Sequence, residues 1–297
     1  MERGGMGLEF GRLLTAMITP FNSSGEIDWP VLEPLVEHLL STGSEGLVIA
    51  GTTGESPTLT TDEKLALFKR VKEITGTRAF VMAGTGTNDT SYSVQLTEKA
   101  AATGVDGMMA VTPYYNKPSQ EGMYYHFKSI AEGAPSLPLM IYNIPGRCIV
   151  NLEADTLLHL TAISNIRAVK EASGDLDQIA YFLDHSPEYF KVYSGDDSST
   201  LPIMSIGGTG VVSVAAHVIG REMKTMIDSF AAGEPALAAA SHRKLLPKMK
   251  ACFMAPNPAP VKAMLEQLGV GARFTRAPLL PLTESEVKQL ENWFSLA

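Results

Sequence analysis

The 297-residue chain has only two cysteines, Cys148 and Cys252. They stand far apart and form neither a metal-ligand spacing nor a disulfide framework. A reducing compartment is therefore expected, and the cytoplasm fits best. No apolar stretch approaches the ~18 residues needed to span a bilayer. No basic run is present, and the formal net charge is -8. That balance argues against nucleic acid and anionic membrane as partners. Low-complexity segments and blocks of like charge are missing too. The first residues, Met1 to Gly7, lack a basic region followed by an apolar one, so no signal peptide is expected.

What remains is an ordinary globular composition, 45% hydrophobic and 19% charged. The length permits two domains, or one barrel of ~250 residues with an appendage. Eight short apolar runs recur: Leu13–Ile18, Gly46–Ile49, Ala79–Met82, Gly107–Val111, Leu139–Tyr142, Ile166–Val169, Lys191–Tyr193 and Gly210–Val212. Segments of helical period lie between them, roughly Trp29–Ser41, Asp62–Thr75, Thr90–Thr103, Gln120–Ala134, Glu153–Ser164, Asp175–His185 and Thr200–Ile206. The runs are nearly continuous in apolar character, as parallel strands covered on both faces require. Their spacing suits βα units. The expected fold is thus an α/β class (β/α)8 TIM barrel over residues 8–230. A doubly wound open sheet is the alternative, but Thr19-Pro20-Phe21-Asn22 after the first run is no phosphate fingerprint. From about Arg221 onward only helical periodicity remains. It predicts a small all-helical C-terminal appendage over residues 231–297, with Pro260 opening the helix Val261–Leu268.

In a barrel, chemistry gathers where strands end. The sixth run ends on Lys170. An ammonium there is costly to bury, and the same cost lowers its pKa toward a nucleophilic amine. One reading is a Schiff-base lysine; the other is a lysine that caps the strand and reaches water. The second run leads into Gly51-Thr52-Thr53-Gly54-Glu55-Ser56, a turn able to hold a carboxylate or phosphate. The fourth leads into Thr112-Pro113-Tyr114-Tyr115-Asn116-Lys117-Pro118; paired tyrosines in such a loop are more often interface or core than catalytic. The fifth ends Tyr142-Asn143-Ile144-Pro145-Gly146-Arg147, offering a phenol for protons and a guanidinium for a carboxylate. The seventh ends Ser194-Gly195-Asp196-Asp197; one acidic pair without histidines is a poor metal site. Cys148 reads better as a small buried hydrophobe than as a reactive thiol. Together these describe a site that binds a 2-oxo acid, forms an imine and handles a second carboxylate.

Those motifs, with Asn257-Pro258-Ala259-Pro260-Val261-Lys262 in the tail, resemble the dihydrodipicolinate synthases. These belong to the class I pyruvate aldolase family that includes N-acetylneuraminate lyase, and the resemblance covers nearly the whole chain. It implies that Lys170 forms an imine with pyruvate and that Tyr142 is the general acid/base, relayed through Thr52 and Tyr115. It implies that Tyr115 reaches the neighbouring subunit's site and that Tyr114 lies at a dimer interface. Thr53 would hold the pyruvate carboxylate and Arg147 that of aspartate 4-semialdehyde; Gly195 and Val212 would line the pocket. No metal or separate cofactor is implied, and the expected assembly is a dimer of dimers. A buried guanidinium at Arg147 would select a small acidic aldehyde over a sugar. Positions that bind inhibitory lysine in some members appear here as Thr61, Lys64 and Tyr92, beside Ser56, Asn88 and Tyr114, so weak feedback by L-lysine is expected. The rivals are a sister aldolase acting on a sugar-derived or other 2-oxo acid, such as 4-hydroxy-2-oxoglutarate, and a non-catalytic barrel that binds an oxo acid as a sensor or scaffold.

Overall fold

A computed structural model describes residues 10–295; the expected barrel start at residue 8 and the segment Met1–Gly7 lie outside them. Eight strands close into a parallel barrel in chain order, β1 to β8. They are β1 (Leu13–Ala16), β2 (Gly46–Ile49), β3 (Phe80–Gly84), β4 (Gly107–Val111), β5 (Leu139–Asn143), β6 (Ile166–Glu171), β7 (Lys191–Ser194) and β8 (Gly210–Ser213). The helices between and beyond them are α1 (Trp29–Ser41), α2 (Thr61–Thr75), α3 (Thr90–Ala101), α4 (Gln120–Gly133), α5 (Pro145–Cys148), α6 (Ala154–Leu160), α7 (Leu176–His185), α8 (Thr200–Ser205) and α9 (Ala216–Ala231). Then follow α10 (Pro235–Ala251), α11 (Ala259–Gln267) and α12 (Glu284–Ser295). The (β/α)8 expectation is met.

Strand period explains which side chains reach the barrel interior. Successive residues point to opposite faces. Leu47, Val81, Met108, Ile141, Val169 and Val192 face the helix layer, where they join the large outer core. Their neighbours Val48, Met82, Met109, Met140, Ala168, Tyr193 and Val212 form a separate inner cluster with Phe10 and Tyr142. The same alternation, two residues beyond Met140 and Ala168, turns Tyr142 and Lys170 inward. Phe10 closes the lower end, edge-on to Phe80 at 4.9 Å and to Tyr193 at 6.3 Å between ring centroids.

Local chemistry fixes the helix starts. Thr60 and Glu63 form the expected capping box at α2. The Asp175 side chain accepts from the Gln178 amide at 2.9 Å and opens α7. Several boundaries differ from expectation: β1 stops at Ala16 rather than Ile18, β3 runs on to Gly84, and α11 starts at Ala259 with Pro260 its second residue. β6 does not stop before Lys170: it pairs on through Lys170 and Glu171, with Tyr142 and Asn143 on one side and Tyr193 and Ser194 on the other. The segment expected to be helical to Ser164 ends at Leu160, because the Thr161 hydroxyl bonds back to the Leu158 carbonyl at 2.7 Å. The Pro145–Cys148 turn, four residues long, falls below any helical period. At the C-terminal end, α9 packs against β1, α1, α10 and α11, so the helical tail is fastened to the barrel.

Candidate active site

Lys170 lies on β6 between two tyrosines: the register opposes it to Tyr142 on β5 and to Tyr193 on β7. It is 5% exposed. Its ammonium lies 4.0 Å from the centroid of the Tyr142 ring. No carboxylate among the described residues reaches ion-pairing distance of it. Burial pushes the amine down to about 7; the charge of buried Asp197 pulls the other way, and Arg147 adds to the fall. About half of such an amine is neutral near pH 7, and the neutral form is the nucleophile. Gly195 is required beside it. A Cβ there would lie 2.7 Å from that of Ala172 and 3.2 Å from Lys170 Cε, so any side chain would press on the lysine.

A cavity of about 240 Å3 opens at this end of the barrel, lined by Gly51, Thr52, Tyr114, Tyr142, Arg147 and Cys148 among others. Tyr142 forms the link: its ring belongs to the cavity wall and also covers Lys170. Lys170, Thr53, Gly195 and Val212 are not part of that lining. Lys170 and Gly195 lie behind Tyr142, and Val212 is packed in the inner cluster. The Tyr142 phenol is raised above its ordinary value by burial, opposed by the charge of Arg147 and by a hydrogen bond with Thr52. It is therefore a neutral phenol near pH 7. Such a group moves protons only by receiving one as it gives another, which requires a partner hydroxyl such as Thr52.

The Gly51–Ser56 turn is held from three sides. The Thr19 hydroxyl donates to the Gly54 carbonyl at 2.7 Å. The amides of Glu55 and Ser56 close the turn onto Thr52 and Gly51 carbonyls at 3.0 and 3.2 Å. Glu55, in the left-handed region at φ 55°, is buried and pairs with Lys262, while the Arg276 amide donates to it at 2.9 Å. Asn257 donates to the Thr53 hydroxyl at 2.9 Å. The amides of Thr52 and Thr53 make no hydrogen bond within the described residues, leaving two donors for an anion.

One expected residue is placed differently. Arg147 is exposed, on the α5 turn above the cavity, so the guanidinium is not buried in this chain. The selectivity argument from desolvation loses its basis here; what remains is a positive charge at the rim, within electrostatic reach of Tyr142 and Lys170. Tyr115 is 86% exposed and held at φ 75°. One chain does not bring it to Tyr142 and Thr52. The acidic pair is structural: Asp196 caps the following turn through the Ser198 and Ser199 amides at 2.8 and 3.2 Å. Asp197, fully enclosed, accepts from the Ser213 hydroxyl and from the amides of Val214 and Ala215.

Other residues had no role in the sequence reading. Glu171 faces away from the interior into a buried set in which Asn143 donates to it at 3.1 Å and the Ser173 amide at 2.8 Å. Asn143 and Asn151 continue it to Gln178 on α7. This stiffens β6 behind the lysine. The adjacency of Lys170 and Glu171 was the visible signal. Asn257, Lys262 and Arg276 bond to a turn more than 200 residues away, which no local pattern reports.

A sequence model of the dihydrodipicolinate synthetase family matches residues 9–296. The chain is 57% identical over 96% of its length, and 96% of the relative's, to 4-hydroxy-tetrahydrodipicolinate synthase 1 of Halalkalibacterium halodurans. It is similar to the crystal structure of dihydrodipicolinate synthase DapA-2 from Bacillus anthracis, with a TM-score of 0.95 and 49% identity, covering 97% of this chain and 99% of that one. The enzyme from Cyanidioschyzon merolae with lysine bound gives a TM-score of 0.94 at 46% identity, covering 96% and 97%. With a full-length match and identities near one half, the chain belongs to the dihydrodipicolinate synthetase family.

Proposed function

We propose that this chain condenses pyruvate with L-aspartate 4-semialdehyde to give 4-hydroxy-tetrahydrodipicolinate, a step toward diaminopimelate and lysine. The observation that carries the chemistry is Lys170, enclosed beside Tyr142 with its amine pushed down to about 7. The neutral amine attacks the keto carbon of pyruvate, and the carbonyl oxygen leaves as water. The iminium then draws electrons from the methyl carbon, whose proton is lost to give an enamine. That carbon adds to the aldehyde, whose oxygen takes a proton and remains as a hydroxyl. The amine of the second substrate displaces Lys170, closing the ring and freeing the enzyme. The iminium is itself the electron sink, so no separate cofactor enters the scheme.

Tyr142 and Thr52 carry the protons, through their hydrogen bond at the cavity wall. Thr53 and the free amides of the turn take the pyruvate carboxylate. Arg147, at the rim, takes the carboxylate of the semialdehyde. The relay lacks one member in a single chain. Tyr115 projects into solvent with a backbone conformation that costs a non-glycine residue about 1 kcal/mol or more. We assign it to the site of a second copy, with Tyr114 beside the contact, so that the active unit is a homo-oligomer of at least two chains. The names of the relatives support the condensation proposed. Among the described residues no helix is long and apolar enough to cross a membrane. Residence in the cytoplasm is part of the proposal.

The test is pyruvate consumption with aspartate semialdehyde, N-acetylmannosamine and glyceraldehyde side by side, with Lys170→Ala as the blank. Turnover with aspartate semialdehyde alone is expected. Preference for a sugar aldehyde would keep the lysine chemistry and overturn the substrate.

A further inference from the structure

The Thr53 hydroxyl has one proton and is 3% exposed. Asn257, 8% exposed and 204 residues away, approaches its oxygen at 2.9 Å through the side-chain nitrogen. An amide nitrogen only donates. The contact therefore occupies a lone pair of the Thr53 oxygen and leaves the Thr53 proton unspent. Among the described residues that hydroxyl gives its proton to no acceptor. Donation into a hydroxyl also polarises it and makes it a better donor.

The far side of Asn257 supports this orientation. Its carbonyl oxygen is buried without a hydrogen-bond partner. Turning the amide over would satisfy that oxygen with the Thr53 proton but bury two orphan N–H groups instead, and buried orphan donors are rarer than under-satisfied carbonyls. The backbone around Asn257 is anchored as well. Lys262, on α11, pairs with Glu55 and donates to the Phe274 carbonyl at 2.7 Å. The Arg276 guanidinium reaches Glu63 at 2.6 Å and the Thr58 carbonyl at 2.7 Å. The C-terminal appendage thus grips the turn at both its hydroxyl and its carboxylate.

We propose that Asn257 is a positioning residue: by engaging the Thr53 oxygen it commits the Thr53 proton to the carboxylate of the bound 2-oxo acid, so the helical appendage sets the preference for an ionised keto acid over a neutral ketone. This rests on the assignment of Thr53 to the pyruvate carboxylate. It adds a residue outside the barrel that acts through Thr53 and touches no substrate.

The experiment uses the full chain, with borohydride trapping of the Lys170 imine read by intact-protein mass. Half-saturation is measured for pyruvate and for methyl pyruvate, which lacks the charge, in the wild type and in Thr53→Val, Asn257→Asp and Asn257→Ala. Circular dichroism checks folding. The preference for pyruvate over the ester should shrink about tenfold in Thr53→Val and at least as much in Asn257→Asp, whose carboxylate takes the Thr53 proton and repels the substrate. In Asn257→Ala, where the proton is merely uncommitted, about threefold is expected. If Asn257→Asp does not fold, Asn257→Ala carries the same reading. A preference lost in Thr53→Val but intact in the Asn257 variants overturns the inference alone, as does equal weakening of both ketones by the Asn257 changes. A preference intact in Thr53→Val overturns the assignment of Thr53, and the inference with it.

Discussion

Two buried lysines in this chain differ in their partners. Lys262 is fully enclosed, paired with Glu55, capped by the Phe274 carbonyl at 2.7 Å and 4.3 Å from the Phe21 ring centroid. Lys170 is nearly as buried but meets a ring, two neighbouring strands and no carboxylate within pairing distance. Burial lowers both amines. At Lys262 a bonded anion opposes it directly, the amine falls to about 8, and the ammonium predominates near pH 7. At Lys170 the opposing charge, Asp197, already has its oxygens engaged by Ser213, Val214 and Ala215, and the amine falls to about 7. The bonded counter-ion is what separates the two places: it favours the charged amine at Lys262, and Lys170 has none.

Exchanging each lysine for methionine separates the two roles. Lys170→Met should abolish imine trapping and lower turnover on the order of 10^4-fold or more, with thermal stability unchanged or raised. Lys262→Met should leave Lys170 trappable at saturating pyruvate while costing ~3–5 kcal/mol of stability, because Glu55 is left buried and unpaired. A large loss of stability in Lys170→Met, or loss of trapping at saturation in Lys262→Met, would break the comparison.

The pH dependence sharpens it. Below the folded value of about 7 the Lys170 ammonium predominates, so the pyruvate imine should form slowly there, rise through that pH and level off above it. A plateau reached only near the free-lysine value of ~10.4 would contradict the assignment. Stability carries the same signature with a defined sign. The penalty on a buried ammonium is complete below the folded pKa and is relieved as pH rises toward the unfolded one, a rise that Lys170→Met removes.

The smallest expected effect concerns a third lysine. Lys64 is mostly buried near Tyr92, whose hydroxyl meets that of Thr61 at 2.8 Å, and burial lowers its amine too. A cation in this place disfavours the ammonium groups of free L-lysine. Inhibition by lysine should be weak or absent, measured as turnover across a lysine titration. Half-inhibition below one millimolar would be the contrary result.

The barrel was legible because buried parallel strands write themselves as short continuous apolar runs, and the helices because caps such as Thr60 and Asp175 are local. The positions of Lys170, Tyr142 and the Gly51–Ser56 turn at strand ends were legible. The extension of β6 through Lys170 and Glu171 was hidden, since two adjacent charges read as a strand's end. In fact one side chain faces the interior while the other is absorbed by Asn143 and Ser173. A guanidinium just past a strand end suggests a buried group, but the α5 turn lifts Arg147 to the rim. Asn257 shows no role in the sequence, because its partner lies 204 residues earlier.

That separation has a consequence for how the enzyme comes into being. Strand β8 ends at Ser213, and with it the barrel's sheet has all its strands. The Gly51–Ser56 turn, proposed to receive the substrate carboxylate, is then still missing Asn257, Lys262 and Arg276. During synthesis, when the chain leaves the ribosome from its N-terminus, closure of the sheet and completion of the binding site are distinct events. The last quarter of the chain completes the site.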